Sequence, residues 1–320
     1  MKLQKILNRL QKLYPKEIDL SLDRIKILCE KLGNPQDEIK CIQVCGTNGK
    51  GSTISFLRSI LREANIKCNI YSSPHVKRIN ERFIYNDEMI TDDALVDLLS
   101  EIEEINDGQP LTYFEALTAT FFHGCRKHKE NLVLAEFGLF GRVDAVNILK
   151  KNLCNIVTSC SEDHLDWLPK NERTIERIIF EKTSSLLNSN IIVARQTSNE
   201  ITECIKKNIS NNKANKYFFK EDYNYVLKEN DFFYYEDKYG GLKIPKPSMN
   251  GQFQLENAST AIATLRILED LKVKDEQIIN GVKKANNVAR LEEIKSGKLK
   301  NLIKNNILIL DSSHNPGGAK

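Results

Sequence analysis

Three observations predict an α/β fold. Strand-like and helix-like segments alternate along the chain, short polar turns close the apolar runs, and a glycine-rich turn carrying a lysine directly follows one of those runs. The predicted architecture is a mostly parallel sheet with helices on both faces and a phosphate-binding loop at one strand end.

In chain order, residues 1–32 read as helix, turn, helix around Ile18-Asp19-Leu20-Ser21-Leu22-Asp23-Arg24. Residues 41–45 are apolar enough for a buried strand, and Gly46-Thr47-Asn48-Gly49-Lys50-Gly51-Ser52 follows. Beyond it Ile54, Leu57, Ile60 and Leu61 fall on one helical face. Glycines let backbone N–H groups approach an anion, Lys50 adds a point charge, and the helix start adds its dipole. The general nucleotide-loop pattern has Ser or Thr directly after the lysine. Here Gly51 stands there and Ser52 comes one later, so a tight glycine turn without ligand competes with the phosphate reading.

Residues 66–71 predict a second strand, stopped by Pro74, which leaves Ser73 and His75 on a loop at its carboxyl end. Helices are predicted over 92–105 and 115–128. A strand over 132–137 runs into Gly138-Leu139-Phe140-Gly141-Arg142-Val143-Asp144, and another over 155–160 ends in Ser161-Glu162-Asp163-His164. A helix over 174–187 carries Glu181-Lys182, and residues 191–194 form one more strand. Carboxyl ends of strands are where open α/β sheets bind ligands. Aromatic residues crowd 216–244, which predicts antiparallel hairpins on the sheet's edge. With no basic groove beside them, a base-stacking surface is the weaker reading. A helix with Asn257 near its start follows, then one over 275–285. Residues 307–310 have the composition of a central strand, yet only 291–302 can neighbour them after Arg290. The expected division is therefore a nucleotide-binding domain over 1–289 and, over 290–320, the cut-short start of a second α/β domain.

The chain has 320 residues, 41% hydrophobic and 28% charged, with a net charge of +4. That balance fits a globular protein and makes no case for nucleic acid. The charged, amphipathic N-terminus does not read as a signal peptide, and no run reaches the length of a membrane span. The eight cysteines include no CxxC pair, and several lie in strand-like runs. Reduced, buried thiols fit better than a disulfide framework or zinc site, and the expected location is the cytoplasm.

The motifs, taken together, resemble the folylpolyglutamate synthase and dihydrofolate synthase family of the Mur ligase superfamily. The likeness runs in order along almost the whole chain. Gly46-Thr47-Asn48-Gly49-Lys50-Gly51-Ser52 matches that family's own nucleotide loop, Gly51 included. Tyr71-Ser72-Ser73-Pro74-His75 with Asn80-Glu81-Arg82, Leu111-Thr112-Tyr113-Phe114-Glu115, and the stretch from Glu136 through Asn147 match further signatures. His164 with Asp166-Trp167-Leu168, Glu181-Lys182, Asn257-Ala258, Arg290 and Asp311-Ser312-Ser313-His314-Asn315-Pro316 complete the set.

The resemblance implies ATP-dependent amide bond formation. A pteroate or folate carboxylate takes the γ-phosphate of ATP, and the amine of L-glutamate then displaces phosphate. It implies ATP and magnesium as cofactors, dihydropteroate or folate and L-glutamate as small-molecule partners, no nucleic acid, no membrane, and a monomer. By the same resemblance Thr47, Asn48, Gly49, Lys50, Gly51 and Ser52 hold phosphates, while Asn257, Arg290 and Asp311 contact base, phosphates and ribose. Ser73, Glu136 and His164 bind magnesium, and Lys182 is the lysine that the family carbamylates. Lys50, Lys182, His164 and His314 form the catalytic set. Asp19, Leu20, Ser21, Leu22, Thr112, Tyr113, Phe114, Glu115, Val143, Asp144 and Ala145 face the pterin. For single residues other readings stand: an ion pair of Glu136 with Arg142, a capping His164, a surface pair of Glu181 with Lys182. Departures from the family occur at Ser21 and Phe140, where glycine is usual, at Thr183-Ser184-Ser185, and at Val288-Ala289 before Arg290. Phe140 is expected to add bulk beside Glu136. Competing functions are another Mur-type amino-acid ligase and a nucleotide-binding relative that has lost ligation.

Overall fold

The computed structural model describes residues 2–14, 19, 21–228, 231–303 and 305–319. The chain opens with helices α1 (Lys2–Gln11) and α2 (Asp23–Lys31), then strand β1 (Lys40–Cys45) and helix α3 (Lys50–Glu63). Strands β2 (Cys68–Tyr71), β3 (Phe83–Tyr85) and β4 (Glu88–Met89) precede α4 (Asp92–Asn106) and α5 (Tyr113–Cys125). Next come β5 (Leu132–Glu136), β6 (Cys154–Val157), α6 (Ile175–Thr183), β7 (Asn190–Val193), α7 (Asn199–Asn208) and β8 (Lys216–Phe218). Strands β9 (Tyr223–Val226), β10 (Phe232–Asp237) and β11 (Gly240–Pro245) lead to α8 (Phe253–Ile267) and α9 (Asp275–Lys284). Beyond lie β12 (Glu292–Glu293), α10 (Lys298–Ile303), β13 (Ile309–Leu310) and α11 (Pro316–Ala319).

Eight strands form one sheet in the order β4-β3-β2-β5-β1-β6-β7-β8. From β2 to β8 every pairing is parallel. The predicted mostly parallel sheet is therefore what forms. The antiparallel edge made by β3 and β4 was not anticipated, because these runs are very short. Its turn does carry a signal: Asn86 and Asp87 both take positive φ, 53° and 67°, the geometry of a two-residue hairpin.

Alternation along β1 sorts its side chains between two cores. Cys41 and Cys45 join the core beneath α1, α2, α4 and α5. Ile42 and Val44 join the core beneath α3, α8 and α9. With helices on both faces, the strands are mostly apolar, with Gln43, Asn69 and Asn155 as buried polar exceptions. All eight cysteines are free thiols, seven of them buried. Among the described residues no helix is long and apolar enough to cross a membrane.

One expectation needs correction. Of the aromatic segment, only β8 joins the main sheet, as a parallel edge strand. Strands β9 to β11 form a separate antiparallel sheet. Its inward residues Tyr223, Phe233, Tyr235, Leu242 and Ile244 are buried in the same core as α8 and α9, so they cover a helical layer instead of extending the edge. At 307–310 the pairing falls inside 291–302, the neighbour the sequence allows. Only Ile309 and Leu310 pair, with Glu293 and Glu292 respectively, and both are exposed. A partner only two residues long gives them no central position in a sheet, and 298–303 is helical instead.

Strand β1 lies between β5 and β6. The loops after β1, β2, β5 and β6 therefore open on one sheet edge, around the central strand.

Candidate active site

The loop after β1 is fastened before any ligand arrives. The N–H groups of Thr47 and Asn48 donate to Ser159 O beyond β6, at 2.8 and 3.1 Å. Gly49 ends the loop at φ 89°, and a Cβ there would lie 2.5 Å from Asn257 Oδ1, so only glycine fits. Helix α3 then starts with its first N–H groups turned to the cavity, an anion-binding arrangement. Lys50 Nζ folds back to donate to Gly46 O at 3.2 Å and Thr47 O at 3.0 Å, and lies 3.9 Å from Glu136 Oε1.

Glu136 ends β5 and is buried. Burial pushes its carboxyl pKa up, and the neighbouring Lys50 opposes that. Its Oε2 accepts from Ser73 N at 3.3 Å. Ser73 Oγ is buried and, among the described residues, finds no hydrogen-bond partner. His164 sits at φ 56° in the loop after β6, and its ring caps nothing. Burial pushes its pKa down, although Asp163 opposes this, so the imidazole is available as a neutral donor. An orphaned hydroxyl, a buried carboxylate and a neutral imidazole are a donor set that fits a magnesium ion also held by phosphate oxygens. Among the described residues no cluster of three or more His, Cys, Asp or Glu could hold a metal by itself. The ion pair of Glu136 with Arg142 does not form: Arg142 pairs instead with Glu181, at 2.9 and 3.0 Å.

Glu181 also takes Arg177 at 2.6 Å, and Arg142 N donates to Glu181 O at 2.8 Å, which ties α6 to the loop after β5. The next residue, Lys182, does not pair with Glu181 and is 2% exposed. Its Nζ donates to Gly46 O at 3.0 Å and Leu139 O at 2.9 Å. Burial, with Lys50 adding to it, pushes this amine down to about 8. The amine is sealed under the phosphate loop and does not line the cavity. Phe140 is fully buried against Leu168 and Ile178. Its bulk faces Lys182, whose Nζ lies 5.8 Å over the ring, and His164, whose ring centre is 6.4 Å away edge-on. It is thus a wall of the Lys182 pocket.

At the nucleotide end, a Cβ on Gly51 would lie 3.9 Å from Glu136 Oε2 and 4.0 Å from Arg290 Nη2. Arg290 and Glu136 therefore flank the start of α3. Arg290 also donates to Ser312 Oγ. Asp311 accepts from Leu291 N at 2.8 Å and Ser313 N at 2.7 Å. His314 Nε2 and His164 Nε2 lie 3.7 and 3.6 Å from the same oxygen, Asp163 Oδ2.

At the other end, Thr112 caps α5 and forms a reciprocal capping box with Glu115. The Phe114 ring packs on Gly138, where a Cβ would come within 2.6 Å of Cζ. Asp144 accepts from Gly138 N, Leu139 N and Val146 N at 2.8, 2.9 and 2.9 Å, and burial pushes its carboxyl up to about 6. It shapes the loop after β5 as well as facing the cavity.

One cavity of about 1020 Å³ unites these residues. It is lined by Thr47 through Ser52, Ser73, Glu136, His164, Asn257, Arg290, Asp311 and His314, and by Asp19, Ser21, Thr112, Phe114, Glu115, Val143, Asp144 and Ala145. Leu22 and Tyr113 do not line it; both turn to the core beneath α2 and α5. Leu20 lies outside the described residues. Asp163, Asn315, Arg82 and Trp167 were given no role, yet belong to the site. Asn315 exchanges side-chain hydrogen bonds with Asn48 at 3.0 and 3.1 Å, across 267 positions. No local pattern reveals such a pair. Arg82 and Trp167 line the cavity, and their place inside recognised motifs was the available signal.

The Mur ligase middle domain family matches residues 44–265. Over 98% of the chain and 71% of the relative, it is 31% identical to the dihydrofolate synthase/folylpolyglutamate synthase of Haemophilus influenzae. The Escherichia coli protein of the same name is 30% identical over 98% of this chain and 70% of its own. The structure of Escherichia coli FolC in complex with DHPP and ADP aligns with TM-score 0.86 and 31% identity, over 99% of this chain and 72% of that one. The Yersinia pestis bifunctional enzyme complexed with AMPPNP and Mn aligns at 0.85 and 28%, over 99% and 72%. The chain belongs to the dihydrofolate synthase/folylpolyglutamate synthase family of Mur ligases.

Proposed function

We propose that the protein joins L-glutamate to dihydropteroate or a reduced folate, driven by ATP, with residues 1–289 as the nucleotide-binding unit and 290–320 as the start of a glutamate-ligase unit. The observation that carries this reading is the single cavity in which the loop after β1 and the 112–115 turn face each other. Related structures hold ADP with DHPP, and Mn, AMPPNP and L-glutamate.

In this reading the N–H groups of 49–52, left open at the start of α3, and the Lys50 ammonium cradle the triphosphate, and Arg290 approaches beside Gly51. Asn257 and Asp311 receive base and ribose. The pterin lies between the Asp19 loop and Phe114, with its benzoate carboxylate directed at the γ-phosphate. That carboxylate oxygen attacks phosphorus and ADP departs, leaving an acyl phosphate. The neutral amine of glutamate attacks the acyl carbon, phosphate departs, and the amine proton goes to solvent or to a base. Bringing two anions together requires fixed positive charge. Magnesium, when held by Ser73, Glu136 and His164, supplies part of it. Lys182, with its pKa lowered to about 8, is neutral in an appreciable fraction of molecules, and that neutral form can take up carbon dioxide as a carbamate and release one proton. Its sealed position accounts for the neutral form. His314 and His164 flank Asp163 and set the polarity of the phosphate end. The reading carries with it a cytoplasmic, monomeric enzyme with small-molecule substrates.

ADP release that requires magnesium, L-glutamate and dihydropteroate or tetrahydrofolate together is the expected result. Turnover with a muramyl-peptide acceptor and none with pterins would overturn it.

A further inference from the structure

The pterin end of the cavity has two walls that are distant in sequence. One is the loop with Asp19 and Ser21 before α2; the other is the turn with Thr112 and Glu115 that starts α5. Arg24, in the first turn of α2, bonds to both. Its Nη1 donates to Asp19 Oδ2 at 2.9 Å and its Nη2 to Asp19 O at 3.0 Å. Its Nε donates to Glu115 Oε2 at 3.0 Å. The guanidinium lies 4.8 Å over the Tyr14 ring, and the Tyr14 hydroxyl donates to Asp19 Oδ2. Glu115 is 4% exposed. Its Oε2 also accepts from Thr112 N, while Oε1 is buried without a hydrogen-bond partner among the described residues. Arg24 itself does not line the cavity.

We propose that Arg24 is a positioning residue for the pterin acid: its guanidinium clamps the Asp19 loop to the Glu115 turn and fixes the separation of the two walls. The inference rests on the functional reading above. Three donors leave the planar fork in set directions, which one ammonium cannot reproduce. The same charge pairs the buried Glu115 carboxylate through Oε2 and leaves Oε1 facing no protein donor among the described residues; without it a buried carboxylate would stand uncompensated. The effect is local, because α1 and α2 also pack on α4 and α5 through Leu7, Leu10, Ile25 and Leu28.

The test uses the whole 320-residue chain and the variants Arg24→Ala, Arg24→Lys and Tyr14→Phe. Dihydropteroate binding is followed by pterin fluorescence, AMP-PNP binding by calorimetry, and folding by the thermal midpoint. Arg24→Ala should weaken dihydropteroate by about tenfold or more, the scale of one lost charged hydrogen bond, with AMP-PNP affinity kept. Arg24→Lys should fall between, and Tyr14→Phe should show a smaller loss in the same ligand alone. Combining Arg24→Ala with Glu115→Gln should cost less than the two single effects added, since one acts through the other. Should Arg24→Ala fail to fold, the lysine and phenylalanine variants carry the same selective readout. Unchanged dihydropteroate affinity in the Arg24 variants would overturn the inference alone. So would an equal loss of both ligands with a lowered midpoint, which marks a purely structural residue. A wild-type chain that binds AMP-PNP but no dihydropteroate would overturn the functional reading, and this inference with it.

Discussion

Replacing Lys182 by methionine removes one buried ammonium while nearly keeping the side-chain volume. Burial and Lys50 lower this amine from 10.5 to about 8. At about 1.36 kcal/mol per pKa unit, that difference is ~3 kcal/mol against charging the amine in place. The folded-state value lies below the unfolded one, so between pH 8 and 10.5 the folded chain holds fewer protons and rising pH stabilises it. The penalty is complete below about pH 8, shrinks through that window and is gone above it. The methionine variant lacks the titration. Its lost bonds to Gly46 O and Leu139 O weaken it equally at every pH and drop out of the slope. Urea unfolding of both proteins should therefore show the wild type gaining ~3 kcal/mol on the variant across the window. Titrations of other lysines and tyrosines are common to both and cancel. A difference independent of pH would refute the lowered amine. The same quantity bears on the proposed carbamylation of Lys182. At pH ~7.5 such an amine is neutral in about a quarter of molecules, against roughly one in a thousand for an ordinary lysine, and only the neutral form adds to carbon dioxide.

Lys50→Ala should weaken AMP-PNP binding by about tenfold or more and leave the thermal midpoint nearly unchanged, since Nζ bonds only two loop carbonyls; calorimetry that finds full affinity would remove Lys50 from the phosphate site. Gly138→Ala sets a Cβ 2.6 Å from Phe114 Cζ, so urea unfolding should show a loss of about 1–3 kcal/mol, with dihydropteroate affinity falling more than AMP-PNP affinity. Equal affinities in wild type and variant would show that the ring yields freely. Phe140→Ala opens a void against Leu168 and Ile178 and should cost about 3–5 kcal/mol in the same assay. A loss below ~1 kcal/mol would mean that the three side chains are not packed as a unit.

What could be read from the sequence follows the range of the interactions. The central strands are mostly apolar runs buried on both faces, so β1, β5, β6 and β7 were placed from composition alone, and the first three were each followed by a loop that carries candidate site residues. The phosphate loop is local chemistry, with glycines, lysine and helix start inside one heptapeptide. The hairpin of β3 and β4 was missed because two or three residues per strand hold no period, and only the turn at Asn86 and Asp87 marks it. The aromatic segment was assigned the right kind of pairing and the wrong neighbour. Alternation reports which side chains turn inward, but not whether a sheet edge or a helix layer receives them. Contacts between distant residues were out of reach in the same way. Nothing near Asn48 announces Asn315, and nothing near Asp19 announces Glu115. The motif resemblance supplied residues for each end of the cavity, whereas the placement of Lys182 behind the loop, and of Phe140 against it, needed the packing of α6.

The charges around the phosphate loop show why that packing matters. Lys50 and Lys182 both donate to one carbonyl oxygen, Gly46 O, at 3.2 and 3.0 Å. Two ammonium groups at one oxygen repel each other, and burial first, with this repulsion second, lowers the pKa of Lys182. The nearest acid to Lys50, Glu136, is itself buried and pushed up, at 3.9 Å, longer than a hydrogen bond. The loop is therefore electrostatically unfinished: two lysines meet at a helix N-terminus, and among the described residues the carboxylate paired with Lys50 is Glu136, at 3.9 Å. A triphosphate entering that cradle would offset the repulsion and satisfy the open N–H groups of α3. Such a site stabilises an anion through charges fixed during folding, so little reorganisation remains when the γ-phosphate changes hands. The strand order puts Glu136 and His164 on either side of the loop, because β5 and β6 both neighbour β1. The phosphate loop and two of the three proposed magnesium donors thus meet because β1 is central, while the third, Ser73, comes from the loop after β2, the other neighbour of β5.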